Sequence, residues 1–462
     1  MRLIQSFCFL SILFLFMLFP VVSFSLTVTS LSDSGTGSLR NAVANTAPGG
    51  TVDFAVTGTI TLSSEIVIDK DLTIQGPGAD LLTISGGNTK RIFFIDPATA
   101  HDVVISGLRF VDGNGLGTFL VDTGGAILYF ASDPIPEDSR LELNKCVFEN
   151  NFSDSSGGAL SIAGSNAPPR SSIVIINNTT FKTNSSTIGG AIFIQGLNDV
   201  KIMNSTFESN SAYCSTSEDG TGCGASGGAL ANNNAPASSL MIINSTFESN
   251  TARCIAEFGD TCNVKGGAFA LVPGNPEFDG STEISFSTFN NNEVIAICNG
   301  NVCEASGAII QIFEVPGFNT PTLMSNIFNT SSLVENCSTT PSPVSLGYNL
   351  SNDGTCATGG PGDKPNTNPG LDPLGLRNNG GMTETIALLP GSPAIDMGGP
   401  ECPPPDTDQR MLPRPRGSAC DIGAYEFALS SVPTLSEWGL IAMASVLGIV
   451  GFMVMRRRKV AA

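Results

Sequence analysis

The heptapeptide Asn-Ser-Thr-Phe-Glu-Ser-Asn stands at residues 204–210 and again, unchanged, at 244–250. Looser copies surround it. Phe148, Phe181, Phe207, Phe247 and Phe289 are each followed three positions on by an asparagine: Asn151, Asn184, Asn210, Asn250 and Asn292. A Gly-Gly-Ala follows in turn at 157–159, 189–191, 227–229 and 266–268, with Ser306-Gly307-Ala308 as a worn form. Phe110 and Phe328 read as degenerate members at the two ends. The intervals between successive phenylalanines are 38, 33, 26, 40, 42 and 39 residues. A unit of a few tens of residues whose length varies between fixed markers is the signature of a solenoid, with loops absorbing the variation.

The apolar period decides which solenoid. Before each Phe lies a run such as VKIMNSTF (200–207), LMIINSTF (240–247) or EISFSTF (283–289), rich in Ile, Val, Phe and Thr. That is strand chemistry, with no helical stripe. Ile202 and Phe207 are an odd number of residues apart, as are Ile242 and Phe247, and Ile284 and Phe289. A straight strand would put each pair on opposite faces. A corner between them returns the Phe to the interior, and the Gly-Gly-Ala then opens another short strand, as in GGAIFI (189–194). Strands and corners repeated in this order predict an all-β, right-handed, single-stranded parallel β-helix. In such a stack equivalent side chains lie about 4.8 Å apart. Phe over Phe makes an apolar column and Asn over Asn an amide ladder. Asn also tolerates the left-handed backbone of a tight corner, and paired glycines let backbones approach closely. The asparagines are therefore read as construction, in preference to ligands or glycan acceptors.

Composition agrees. Only 14% of the residues are charged, 51 are Gly, and the net charge is −19. An acidic chain without a basic patch disfavours nucleic acid as a partner.

The two ends suggest an address. Arg2, an apolar run from Phe7 to Val22 and the small-x-small Ser23-Phe24-Ser25 predict a secretory signal peptide over 1–25. The cysteines fit export. Cys214/Cys223, Cys254/Cys262 and Cys298/Cys303 recur at one station, between a coil's F-x-x-N and its Gly-Gly-Ala, and read as disulfide staples of three successive loops. Cys337/Cys356 and Cys402/Cys420 are expected to pair as well, leaving Cys146 without a partner. A metal centre is not expected, since the lone His101 has no ligand cluster around it.

Three stretches resemble known families. The stretch 26–78, with Gly37-Ser38-Leu39-Arg40-Asn41-Ala42 and strands of TITL and LTIQGPG type, resembles the entry module of bacterial secreted parallel β-helix proteins. Within it SLRNAVANT has helical spacing, with Ser38 as N-cap, and a helix there would cap the open end of the stack. The central F-x-x-N and G-G-A-I pair is similar to repeats of polymorphic outer-membrane and adhesin-like passenger proteins. Residues 378–427, with LLPGSPAID (388–396), Asp408-Gln409-Arg410, Arg414 and Cys420-Asp421-Ile422-Gly423-Ala424-Tyr425-Glu426, resemble the choice-of-anchor segment that ends many β-helices. Their charged cluster is read as a polar network closing the last coils, with Arg410 and Arg414 paired to Asp421 or Glu426.

The tail has three parts: Pro433, Thr434, Leu435, Trp438 and Gly439; an apolar run from Gly439 to Met455; and Arg456, Arg457, Arg458 and Lys459. The run is expected to be a transmembrane helix over 439–455, with the basic cluster held in the cytoplasm. The arrangement is similar to the IPTL-type sorting signals of Gram-negative bacteria, with Val432 in place of the usual Ile. That resemblance implies an exosortase-type sorting enzyme as partner and cleavage near Pro433–Thr434.

The expected organisation is a signal peptide (1–25), cap and first coils (26–110), central repeats (111–340), C-terminal coils and closing segment (341–428), and sorting tail (429–462). The preferred function is an exported, surface-displayed scaffold or adhesin-like protein without catalytic residues or cofactor, binding glycan or extracellular matrix. Its variable loops at 134–138, 166–169, 232–237 and 273–279 suit that role. The alternative is a pectate-lyase-like polysaccharide lyase or a glycoside hydrolase on acidic or plant-type polysaccharide. Against it, the central acidic residues (Asp154, Glu218, Asp219, Glu257, Asp260) are scattered, and glycosidase motifs and a His101 triad are missing.

Overall fold

The computed structural model describes residues 25–130, 139–163, 172–196, 198–215, 223–234, 238–256, 260–272, 280–298, 303–313, 320–338, 341–428 and 437–460. The chain forms two compact units, Met1–Glu426 and Phe427–Ala462. The expected signal peptide (1–25) lies outside the described residues except for Ser25, which opens the first strand, and most of the four variable loops lie outside them too.

The first unit is a stack of parallel strands. One sheet has eleven in chain order from Ser25–Val28 to Val344–Gly347, and a second has ten from Gly58–Thr61 to Leu350–Ser351. A third has eight, from Ile66–Ile68 to Ile310–Ile312. Each turn of chain adds one strand to successive sheets, which is a parallel β-helix.

The corners follow from residue type. Between the first and second sheets one residue per rung takes a left-handed backbone: Lys145, Asn178, Asn204, Asn244, Phe286 and Ser325, with φ from 47° to 55°. A second left-handed residue (Asn150, Thr183, Ser209, Ser249, Asn291) turns the chain out of the second sheet. Asparagine fills several of these stations because its short amide lowers the cost of positive φ. The first corner restores the inward direction, so Ile202 and Phe207 are both fully buried.

The phenylalanines form one column. From Phe110 through Phe148, Phe181, Phe207, Phe247 and Phe289 to Phe328, successive ring centroids lie 4.5–5.3 Å apart and within 17° of parallel. The two end members belong to the stack, Phe328 at its widest spacing. Beside them runs the amide ladder: the Nδ2 of Asn151, Asn184, Asn210 and Asn250 each donates at 2.9 Å to the Oδ1 of the next asparagine. The backbone N–H of each donates to that same oxygen at 3.0 Å. Gly-Gly has a separate reason. A Cβ on Gly190 would lie 2.0 Å from the Gly228 carbonyl oxygen, and one on Gly228 would lie 1.9 Å from that of Gly267.

Three rungs extend sideways. Ser211–Ser215, Thr251–Ala256 and Glu293–Cys298 pair with one another, and their return strands Cys223–Ser226, Cys262–Lys265 and Cys303–Ser306 form a second small sheet. Between them lies a separate small core of Ala212, Ala225, Ala252, Ala256, Val264 and Val294. Disulfides Cys214–Cys223, Cys254–Cys262 and Cys298–Cys303 close the three loops. The third is offset: Cys254 lies beside Ala296, and Cys298 beside Ala256. Cys337–Cys356 and Cys402–Cys420 are also joined. Cys146 is buried and free, and burial pushes its thiol up to about 12, far from a reactive thiolate.

At the entry, α1 (Leu39–Asn45) is capped by Ser38, whose hydroxyl accepts from the Asn41 N–H, and buries Leu39, Ala42 and Val43. Arg91 is a charged side chain that sequence reasoning passed over. Fully buried, it pairs with Glu65 at 3.0 Å and donates to the carbonyls of Gly115, Phe119 and Thr123, fixing the loop 115–124.

The far end corrects an expectation. The repeat predicts one stack of coils from residue 26 to about 427, but the last strand is Leu350–Ser351. Beyond it the described residues of this unit form only isolated bridges. The Phe-x-x-Asn and Gly-Gly-Ala markers are missing from this segment too, and its frequent prolines remove ladder donors. The segment instead runs back along the first corner, where Thr383 donates to the Asn204 carbonyl (2.9 Å) and Asn244 to that of Thr407 (2.7 Å). The Ala424 N–H donates to Thr288 Oγ1 at 3.0 Å.

The second unit holds α2 (Glu437–Val460). Among the described residues no helix is long and apolar enough to cross a membrane. The expected span over 439–455 thus falls on a helix, while its crossing a bilayer is not shown.

Candidate functional site

The closing segment brings Asp408, Arg410, Arg414, Asp421 and Glu426 together. Arg410 donates from Nε and Nη2 to Asp408 Oδ2 (2.8 and 2.6 Å) and from Nη2 to the Glu426 carbonyl (2.6 Å). Its guanidinium lies 3.6 Å over the Tyr425 ring. Arg414 donates to Glu426 Oε2 (2.8 Å) and to the Asp421 and Gly423 carbonyls (3.0 and 2.6 Å). The partners differ in part from those expected: Arg410 takes Asp408, two residues away, because the turn at 408–411 brings the two side chains together. Both members of the Arg414–Glu426 pair are fully buried. Burial pulls Arg414 below its usual value, opposed by the charges of Glu426, Asp408 and Asp421. Gln409 joins cluster to stack, donating to Thr206 Oγ1 (2.8 Å) and accepting from Thr246 Oγ1 (2.6 Å). Arg410 and Arg414 are each held in a buried ion pair, so the cluster fastens the segment to the stack.

On the second sheet Glu208 and Glu248 are neighbours in register. Glu208 pairs with Lys182 at 2.8 Å. Burial raises the Glu248 carboxyl, the Glu208 charge adds to the rise, and hydrogen bonds from Asn290, Asn291 and Ser249 oppose it. A raised carboxyl contributes stability that is present at low pH and lost as pH rises through its folded-state pKa. Glu248→Gln is therefore expected to stabilise the protein at pH 7 and to lose that advantage below the ordinary glutamate range near 4.5. Urea unfolding at the two pH values measures it.

Of the scattered acidic residues, Asp154 is exposed and Asp260 buried, while Glu218, Asp219 and Glu257 lie outside the described residues. His101 sits at the surface, its backbone N–H donating to Asp71. The sulfurs of Cys262, Cys298 and Cys303 lie within 4.8 Å of one another. Each is already committed to a disulfide, and a disulfide sulfur is not the thiolate that binds metal.

One cavity, of about 450 Å³, lies at the first corner near the entry end, bordered by Gln75, Asp80, Ser106, Asn144, Lys145 and Asn178. Met382 of the closing segment contributes to its wall. Sequence reasoning missed it; the Gly76 and Gly78 N–H groups beside it donate to the Ser106 and Gly107 carbonyls of the next rung.

In the tail, Pro433, Thr434 and Leu435 lie outside the described residues. Trp438 and Gly439 fall in the first turn of α2, and Arg456, Arg457, Arg458 and Lys459 in its last turns, Arg456 exposed.

Comparison with known proteins adds two findings. Residues 430–458 match the IPTL-CTERM motif. Over 90 residues the chain is 40% identical to proteins described as probable pectate lyase C from Neosartorya fischeri and Aspergillus fumigatus, and 37% identical to one from Aspergillus flavus. These matches take in 19% of this chain, which spans about a fifth of the length of the curated relatives it matches. The motif marks an exported, surface-sorted protein, and the lyase similarity agrees with the parallel β-helix.

Proposed function

We propose that this is a surface-displayed β-helix scaffold of a Gram-negative bacterium, exported through its N-terminal apolar segment. Its C-terminal tail is a temporary handle: α2 enters the inner membrane, the basic cluster stays in the cytoplasm, and an exosortase-type enzyme cuts near Pro433–Thr434. The observation that carries the reading is the motif match over 430–458. A helix from Glu437 to Val460 with an apolar middle and a basic end supports it. Outside the membrane the body works by binding glycan or matrix, for which a rigid stack with loops of variable length is suited.

Deleting residues 430–462 tests the handle. Protease treatment of intact cells should find the wild-type body at the surface and the truncated body in the periplasm or medium. Surface display of the truncated chain would overturn the proposal.

A second reading, cleavage of an acidic polysaccharide, rests on the similarity to probable pectate lyases. It is weaker, because Arg410 and Arg414 are buried in ion pairs of the closing segment and the Lys182 beside the Glu208–Glu248 pair is already bonded to Glu208. Unsaturated products from pectin or alginate incubated with the protein would reverse the order of the two readings.

A further inference from the structure

The disulfides of the three sideways rungs touch one another. Among the outgoing strands Cys214 lies beside Cys254, and among the return strands Cys223, Cys262 and Cys303 are neighbours in register. Between the first disulfide and the second, the Sγ atoms of Cys223 and Cys254 are 3.5 Å apart, which is van der Waals contact. The Cys262 sulfur of the second disulfide lies within 4.8 Å of both sulfurs of the third, Cys298 and Cys303. Access differs along this row. Cys254 and Cys262 are buried, at 0% and 1% exposure, whereas Cys214, Cys223, Cys298 and Cys303 are half-buried. A dissolved thiol can meet the outer disulfides, while the middle one meets its neighbours. Exchange between disulfides needs a thiolate in contact with a disulfide sulfur, and the row supplies that contact at both junctions.

We propose that the three disulfides form one relay for thiol–disulfide exchange, which takes up a thiol at one outer disulfide and releases a thiol at the other. The thiolate of a small or protein thiol attacks Cys214, joins it in a mixed disulfide and displaces the Cys223 thiolate. Cys223 then attacks Cys254: the Cys223–Cys254 bond forms, Cys254–Cys262 breaks, and the electron pair leaves on Cys262. Cys262 attacks Cys303, its neighbour in register. The Cys262–Cys303 bond forms, Cys298–Cys303 breaks, and the Cys298 thiolate takes a proton from water. Each step exchanges one disulfide for another, so one thiolate enters, one thiol leaves and no oxidant is needed. A second equivalent of the same thiol resolves the mixed disulfide and leaves free thiols at Cys214 and Cys298. Water sets the direction, because a thiolate is better hydrated at half-buried Cys298 than at sealed Cys262. Closures within loops become cross-links between rungs, so the extension stays closed while it reacts. This activity goes beyond binding of glycan or matrix and does not depend on how the tail is processed.

Cys214→Ser in the full-length chain tests the relay without added thiol, because it leaves Cys223 as a free thiol against Cys254. The variant is equilibrated in mildly alkaline buffer, alkylated with N-ethylmaleimide while folded, digested in acid and mapped by mass spectrometry. Most of the label should shift from Cys223 to Cys298, and peptides joined through Cys223–Cys254 and Cys262–Cys303 should be recovered. Label confined to Cys223, with Cys254–Cys262 and Cys298–Cys303 intact, overturns the proposal. Should the variant fail to fold, titration of the unmodified protein with reduced glutathione, mapped in the same way, decides. The expected product has the same two cross-links, with glutathione and the free thiol on Cys214 and Cys298 in either order. Reduction of the outer disulfides with no cross-link between rungs contradicts the relay, and so does a single step to free thiols in all three loops.

Discussion

Asn210→Ala is expected to lower the unfolding free energy by about 4 kcal/mol, a large part of what a domain has in reserve. The side chain is fully buried in mid-ladder. Its Nδ2 donates to the Phe181 carbonyl and to Asn250 Oδ1, and its Oδ1 accepts from the backbone and side-chain nitrogens of Asn184, all at 2.9–3.0 Å. Alanine removes all four bonds and leaves the Asn184 N–H without its acceptor, while Asn250 Oδ1 keeps the Asn210 N–H and Asn184 Nδ2 keeps the Phe148 carbonyl. Four buried bonds at roughly 1 kcal/mol each give the expected loss. Asn45→Ala is the comparison. That exposed side chain makes one local bond, to the Asn41 carbonyl, and its loss should change stability by less than about 0.5 kcal/mol. Urea unfolding of the pair measures the difference. Equal midpoints would mean that the ladder is a by-product of stacking and not one of its supports.

Gly228→Ala should have the larger effect and prevent the central rungs from closing. The added Cβ would lie 1.9 Å from the Gly267 carbonyl oxygen and 2.7 Å from the backbone N and C of Thr251. All three belong to neighbouring backbone, so no side-chain rotation relieves the clash. Rungs that cannot approach lose the hydrogen bonds of their neighbours too, because a solenoid is stabilised by nearest-neighbour interfaces. Gly224→Ala, whose nearest atom would be the Asn263 carbonyl oxygen at 3.3 Å, should fold with only a small loss. Limited proteolysis separates them: the Gly228 variant is degraded in its central rungs, and the Gly224 variant resists like the parent.

Where the chain repeats itself, the architecture could be read from the letters. Phe207 and Phe247 announce a column because identical side chains at one station must stack when rungs do, and the odd offset from Ile202 to Phe207 announces a corner. Cys254 and Cys262 show their pairing by recurring at a fixed place in three rungs. The closing segment has no repeat, and its course depends on long-range bonds such as Gln409 to Thr206. Local pattern carries no trace of a partner two hundred residues away, so coils were expected where a returning segment lies. Arg410 was given a distant partner for a similar reason, since the turn at 408–411 decides its pairing with Asp408. The cavity bordered by Asn144 and Asn178 was hidden for the same reason, since Met382, about two hundred residues further along the chain, supplies part of its wall.

The central claim is that the tail is a handle that the cell removes, and the mass of the mature protein tests it most directly. Protein recovered from the surface of its native host should have lost the residues after the Pro433–Thr434 region, α2 with them. A mature chain still ending at Ala462 and held in the inner membrane would contradict the account.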